Sequence, residues 1–251
     1  MNADFAHYLD VMSTVEAVRN YKDRSHRLLG ASPGDRVLDV GCGRGDDAET
    51  LAGAVGPTGV AVGVDIDPGV IPAATPGERS ARLLRADATR LPFRAETFDA
   101  CRADRVLVRT TDPWPLLAEM VRVCRRGGRI LTVDPDYGTL VYDSADPRLT
   151  ARIVDAYAGL VPGPHSARRM PALFQDAGLE RVSVFADTLI VTDYDLAVAA
   201  FEIPMVLERA VASGALHAEE RRTWLDDQRE RAAAGRFFAA VTGFAVLGHL
   251  P

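Results

Sequence analysis

The chain of 251 residues contains three cysteines and a single lysine, Lys22, and no apolar run in it approaches the roughly 18 residues of a membrane span. Cys42, Cys101 and Cys124 are too few and too scattered for a disulfide framework or a zinc site. Their apolar or glycine-rich neighbours suit small buried side chains in a reducing compartment. Positive charge is also scarce, with 29 Lys and Arg against 35 Asp and Glu, a net charge of −6. No arginine cluster exceeds an adjacent pair, as at Arg125-Arg126 and Arg168-Arg169, so nucleic acid is not an expected partner. Residues Met1 to Asn20 alternate acidic and apolar side chains without a basic stretch leading into an apolar one, which is no signal peptide. The expectation is a cytoplasmic protein that neither crosses a membrane nor binds a polyanion.

What is present is ordinary globular composition, 47% hydrophobic and 25% charged, with 21 glycines and 15 prolines. One domain over residues 1–251 is expected, because no linker separates a second one. Residues 4–29 read as a helix with Phe5, Leu9, Met12, Val15, Val18 and Leu28 at spacings of three and four. Short β-like runs at 36–40, 60–65, 82–86, 98–103 and 128–134 alternate with helix-length segments, the rhythm of a parallel sheet with helices on both faces. Asp112 caps a predicted helix that Gly127-Gly128 ends. Residues 135–165 are predicted to hold no strand, a helix opens at Ser166, and 181–191 reads as a strand. About forty helical residues follow, kinked at Pro204 and broken at Gly214, and a final β run over 236–247 is expected to insert antiparallel.

The sharpest motif is Val37-Leu38-Asp39-Val40-Gly41-Cys42-Gly43-Arg44-Gly45, a buried strand ending in a glycine-rich turn that opens a helix at Asp46. Glycines let a ligand approach the backbone, and the helix N-terminus offers free N–H groups. A dinucleotide fingerprint would need glycine where Asp46 stands. Acidic Asp39, Asp46 and Asp47 suit a cationic ligand instead. Asp65 ends the second strand, where a carboxylate can accept from both hydroxyls of a ribose, and Asp67 reads as a helix cap. Asp87 ends the third strand, placed to accept from an exocyclic amine.

With these residues in view, VLDVGCGRG, GVDIDP, RADATRLPF, FDACRADRVL and RVCRRGGRIL resemble the successive motifs of class I S-adenosylmethionine-dependent methyltransferases. The similarity is greatest to the UbiE-like, type 11 group acting on small molecules. The resemblance implies a Rossmann-like α/β three-layer sandwich, its seven-stranded, mostly parallel sheet ordered 3-2-1-4-5-7-6. In that frame residues 1–29 form a lid helix, 30–134 the cofactor core, and 135–165 and 193–233 substrate-cap insertions. It implies S-adenosylmethionine as cofactor, with S-adenosylhomocysteine as product and no metal. Gly41, Gly43 and Gly45 would pass beneath the methionine part, with Asp39 facing its ammonium. Asp65 would take the ribose, Ile66 the adenine face, Asp87 its amino group and the Ala88 amide a ring nitrogen. Arg102 and Ala103 would pass near the sulfonium through their backbones.

The chain departs from the family at Arg109, where many relatives carry a histidine after strand four. Asp134-Pro135-Asp136-Tyr137 is superficially similar to the D-P-P-Y motif of nucleic-acid amino-methyltransferases, but it follows strand five and its third residue is not proline. Methyl transfer is an in-line displacement that depends chiefly on positioning, and a hydroxyl acceptor benefits from a base. His165, on a loop after Pro162-Gly163-Pro164, is the expected base by its ordinary pKa; Asp134 is the second candidate, weak unless burial strengthens it. Tyr8, Tyr21, Arg105, Asp136 and Tyr137 are the candidate substrate residues, and Phe201 and Trp224 are further aromatics for an apolar pocket.

The expected activity is methyl transfer to O, N or C of a small organic acceptor, in secondary metabolism, by a monomer or homodimer. The alternatives are an enzyme on this fold performing a non-methylating step such as cyclisation, and a cofactor-binding regulator without turnover.

Overall fold

The computed structural model describes residues 15–67, 69–71 and 80–251. Helix α1 (Glu16–Leu29) ends at Gly30, whose left-handed φ of 64° terminates it. Strand β1 (Arg36–Val40), helix α2 (Asp46–Val55) and strand β2 (Val60–Asp65) follow, then β3 (Arg82–Arg85) and β4 (Phe98–Asp104). Four of the five β1 residues are buried, the continuous apolar run of a strand covered on both faces. Asp112 Oδ1 accepts from the Trp114 N–H at 3.0 Å and opens α3 (Trp114–Val123). Strand β5 (Cys124–Tyr142), helices α4 (Pro147–Leu160) and α5 (Ser166–Asp176) and strand β6 (Glu180–Val191) come next. Helices α6 (Tyr194–Ala200), α7 (Ile203–Ala212) and α8 (Ala218–Ala233) precede the last strand, β7 (Ala239–His249).

The sheet order is β3-β2-β1-β4-β5-β7-β6, as expected. Strands β1 to β5 are parallel, and β7 runs antiparallel to both β5 and β6. Successive residues of β1 point to opposite faces. Leu38 joins Leu117, Met120, Met170 and Phe174 on one side of the sheet, while Val37 joins Leu29, Leu51 and Val55 on the other. All three cysteines are buried, and no disulfide joins them. Among the described residues no helix is long and apolar enough to cross a membrane.

Three expectations need correction. Strand β5 does not stop at residue 134 but continues to Tyr142, so 135–165 is not strandless and its helix begins only at Pro147. Side chains carry the sheet across the irregularity that follows Asp136. Asp136 Oδ1 accepts from the Gly138 N–H at 3.0 Å, and Thr139 Oγ1 accepts from the Thr242 N–H at 2.9 Å. Gly127-Gly128 lie within the start of β5 rather than at the helix end. Trp224, expected in an apolar pocket, packs instead with Leu149, Ile153 and Leu207 in a core that joins α4, α7 and α8 to the ends of β5, β6 and β7. Its indole N–H donates to Thr150 Oγ1 at 2.9 Å, which removes the polar cost of burying it.

Candidate active site

The turn after β1 closes on glycines because its backbone is left-handed, with φ of 69° at Gly41, 54° at Gly43 and 87° at Gly45. A Cβ on Gly41 would collide with the Val106 side chain. Gly43 faces open space, and its N–H donates to Asp65 Oδ2 at 3.0 Å, which ties the turn to the end of β2. Asp65 Oδ1 accepts from the Asp67 N–H at 3.0 Å. Asp67 in turn accepts from the Gly69 N–H at 2.7 Å and so closes a turn. A cavity of about 520 Å³ opens over these strand ends, lined by Asp39, Gly41, Gly43, Asp65, Ile66 and Asp87 among others. Ile66 is 60% exposed and forms an apolar wall of the cavity. Asp87 accepts from the Thr89 N–H and hydroxyl, both at 2.8 Å, and the backbone bond holds its carboxyl below the usual range.

Beneath this cavity lies a fully buried guanidinium, Arg102. Its Nη1 is 3.1 Å from Asp39 Oδ1 and 3.4 Å from Asp47 Oδ2, and its Nη2 is 2.9 Å from Asp104 Oδ2. Helix α1 roofs the cluster. Ser25 Oγ accepts from Arg102 Nε and Nη2, Lys22 pairs with Asp47 and reaches Asp104 at 3.8 Å, and His26 Nε2 is 3.1 Å from Asp47 Oδ1. Tyr21 donates its hydroxyl to Asp104 at 3.4 Å. Burial pushes the Asp39 carboxyl up to about 6 against the pull of Arg102. Burial also resists ionisation of Asp47, but Arg102 and the bonds to His26 and Lys22 hold it well below the usual range. Burial works against the charge of Arg102 as well, and the surrounding carboxylates, Asp47 foremost, raise its pKa all the same.

A second cavity of about 410 Å³ shares Asp104 and Arg105 with the first. Its walls come from α1, β5, β6, β7 and the residues after α6, and include Val18, Tyr21, Tyr137, Leu189, Phe201 and Val241. Asp134 is 1% exposed and also lines it. Asp134 Oδ1 accepts from the Val108 N–H at 3.0 Å, whereas the buried Oδ2 has no hydrogen-bond partner among the described residues. Burial drives this carboxyl well above the usual range, opposed by the Val108 N–H and reinforced by Asp104. Arg105, at the junction, holds a left-handed φ of 56°, a conformation that costs a non-glycine residue energy.

The methyltransferase-domain family (type 11) matches residues 38–132. Over 251 residues the chain is 35% identical to an uncharacterized 37.1 kDa protein in transposon TN4556 of Streptomyces fradiae, covering 97% of this chain and 71% of that protein. It is also 29% identical over 201 residues to the demethylmenaquinone methyltransferase of Bacillus cytotoxicus, covering 70% and 84% of the two. Among solved structures, the YcgJ protein of Bacillus subtilis aligns with a TM-score of 0.63 at 19% identity, over 92% of this chain and 98% of that one. Residues 38–132 are a type 11 methyltransferase domain, of the S-adenosylmethionine-dependent class.

The residues of this methyltransferase fit that donor. The larger cavity lies within the roughly 300–1,000 Å³ of small-molecule sites. The open face of Gly43, the exposed Ile66 and the acid cluster suit a backbone cradle, an aromatic base and a cationic end. Of the cofactor residues expected from sequence, Asp39, Gly41, Gly43, Asp65, Ile66, Asp87 and Ala88 line the cavity. Gly45 instead caps α2, and Ala103 is buried between β1 and β5. Arg102 lines the cavity as the hub of the ion cluster, a role its expected backbone contact does not describe. Lys22, Ser25 and His26 complete that hub and were not among the expected site residues, whereas Asp47, which also joins it, was read as one of the acids suited to a cationic ligand. The single lysine, one turn from a histidine on α1, was the signal of the α1 residues.

The catalytic and substrate residues divide. Tyr21, Arg105, Tyr137 and Asp134 line the second cavity. His165 lines neither cavity; its Nδ1 is 3.4 Å from Asp136 Oδ1, on a side chain 46% exposed. Asp136 is also outside both. It is fully buried, and Arg168 grips both its oxygens, which fastens α5 to β5. Both expectations are corrected by β5, whose continuation past Pro135 turns Asp136 and Tyr137 to different surroundings. Arg109 lines the larger cavity. Tyr8 lies outside the described residues.

Proposed function

We propose that this methyltransferase transfers a methyl group from S-adenosylmethionine to a small organic acceptor seated in the second cavity. The observation that carries this reading is the junction at Asp104 and Arg105, where the two cavities share a wall. A donor on one side and an acceptor on the other meet there, the arrangement an in-line displacement requires. When bound, S-adenosylmethionine supplies a methyl group on a sulfonium. The chain's own residues hold and orient it. Gly41 and Gly43 admit the methionine part, and Asp39 with its cluster faces the ammonium. Asp65 accepts from the ribose hydroxyls, for which its two oxygens keep lone pairs beyond the backbone bonds already made. Ile66 packs on adenine, and Asp87 and Ala88 read its edge. Tyr21, Tyr137 and Arg105 position the acceptor.

Two measurements test the reading. Calorimetry with S-adenosylmethionine should give a site that Asp65→Ala weakens about 10- to 100-fold, the scale of charge-assisted hydrogen bonds. Wild-type affinity in that variant removes the ribose assignment. Incubation with a methyl-labelled donor and a metabolite extract, followed by mass spectrometry, should yield a product heavier by one methyl. A product of unchanged mass would instead support the cyclisation reading.

A further inference from the structure

The second cavity holds one buried group whose chemistry is unfinished. Asp134 Oδ2 is buried and unpartnered among the described residues, in a cavity whose other walls are largely apolar. A buried carboxylate oxygen in that state lacks a donor that a ligand can supply. We propose that the cavity takes a neutral acceptor carrying a phenolic or enolic hydroxyl on a flat apolar body, and that Asp134 receives the hydroxyl proton. This rests on the reading of the cavity as the acceptor site.

The charges around the cavity select among acceptors. Arg24, Arg27 and Arg105 line it, and Arg24 is paired with Asp187 at 2.8 Å while Asp104 is held by Arg102. An ammonium acceptor would meet these arginines on one side and the donor's sulfonium across the Asp104–Arg105 wall. A carboxylate acceptor would meet Asp134. A neutral ring system avoids both costs and matches Val18, Leu189, Phe201, Val241 and the Tyr137 ring. An acidic hydroxyl then supplies the missing donor to Oδ2.

The step balances. The acceptor O–H proton passes to Asp134 Oδ2, the oxygen lone pair forms the new bond to the methyl carbon, and the carbon–sulfur pair returns to sulfur. A neutral ether and a neutral thioether result, and Asp134 later releases its proton to water. Burial makes Asp134 a stronger base than an ordinary carboxylate, closer to the range of phenols and enols than to that of aliphatic alcohols. The groups that face it are the Val108 N–H, Asp104 at the end of β4, and Arg105 and Arg109 beyond it. Because the ionised form is the base, turnover should rise with pH as Asp134 loses its proton.

The test uses three probes of one shape, 2-naphthol, 2-naphthylmethylamine and 2-naphthoate, titrated calorimetrically into the full chain saturated with S-adenosylhomocysteine. The naphthol should bind most tightly, and Asp134→Asn should weaken it about 10-fold or more while leaving the naphthoate unweakened. Asparagine keeps an oxygen for the Val108 N–H, and unchanged S-adenosylhomocysteine affinity certifies the fold of the variant. Tightest binding of the amine or of the naphthoate overturns the acceptor class, and so does binding of none of the three. A naphthol affinity that Asp134→Asn leaves unchanged overturns the role of Asp134. The methyl-transfer reading is judged separately, by the labelled-donor incubation, so either can fail alone.

Discussion

Arg102 Nη1 lies 3.1 Å from Asp39 Oδ1, joining the ends of β4 and β1 beneath the donor cavity. Three carboxylates, Asp39, Asp47 and Asp104, face two fixed cations, Arg102 and Lys22, so these five groups carry one excess negative charge. That excess complements a cationic ligand. Arg102→Met would leave the buried carboxylates without their hub, a change worth about 3–5 kcal/mol of stability. Thermal or urea unfolding should report that loss. A variant as stable as the wild type would mean that Lys22 and water can replace the guanidinium.

Asp39 gives donor binding a pH dependence. Its carboxyl is pushed up to about 6 by burial, and its ionised form attracts the donor's cationic end. Affinity for S-adenosylmethionine should therefore fall as pH drops through about 6. Asp39→Asn should flatten that dependence and weaken the donor about tenfold, and S-adenosylhomocysteine by as much, because both carry the ammonium that Asp39 faces. A loss confined to S-adenosylmethionine would show that the cluster senses the sulfonium instead.

His165 and Asp136 should behave as structural residues. His165→Ala should change kcat by less than about threefold, far short of the 10²-fold or more that loss of a general base costs. Asp136→Ala frees Arg168 and the Gly138 N–H, and should lower stability by about 1.5–3 kcal/mol with donor affinity unchanged. Steady-state kinetics and thermal unfolding separate these outcomes. A collapse of kcat in His165→Ala would restore the histidine as the base.

Two glycines should respond in opposite directions. Gly41→Ala forces a side chain onto a left-handed backbone against Val106, and should abolish donor binding. Gly53, inside α2 with nothing within 4 Å of a built Cβ, should accept alanine with a gain of about 0.5–1 kcal/mol. Calorimetry with S-adenosylmethionine reads the first and thermal unfolding the second. Donor binding retained in Gly41→Ala would show that the turn can shift away from Val106.

Trp224 belongs to the core that joins the helical cap to the far ends of β5, β6 and β7, a cluster distinct from the two that flank β1. Trp224→Ala should cost about 3–5 kcal/mol, read by unfolding, yet leave donor affinity intact at low temperature. Loss of donor affinity in that variant would couple the cap to the donor cavity.

The parallel half of the fold and most of the donor site were legible in the chain itself. β1 and β2 are largely buried and apolar, β3 is short, and Asp39, Asp65 and Asp87 sit at or just beyond the C-terminal ends of the three, so local pattern and site coincide. Strand β5 beyond Asp134 was not legible, because Thr139 and Thr242 bridge its irregularity from 103 residues apart. That continuation decided that Asp136 binds Arg168 and that His165 stays outside both cavities. The base strength of Asp134 was equally a tertiary matter, since a carboxyl's pKa depends on the water removed from it by Val108, β7 and α1. Arg102 makes the same point from the other side. Its position on β4 followed from the sequence, but its role came from three carboxylates on three elements converging on a guanidinium that the fold had closed off from solvent.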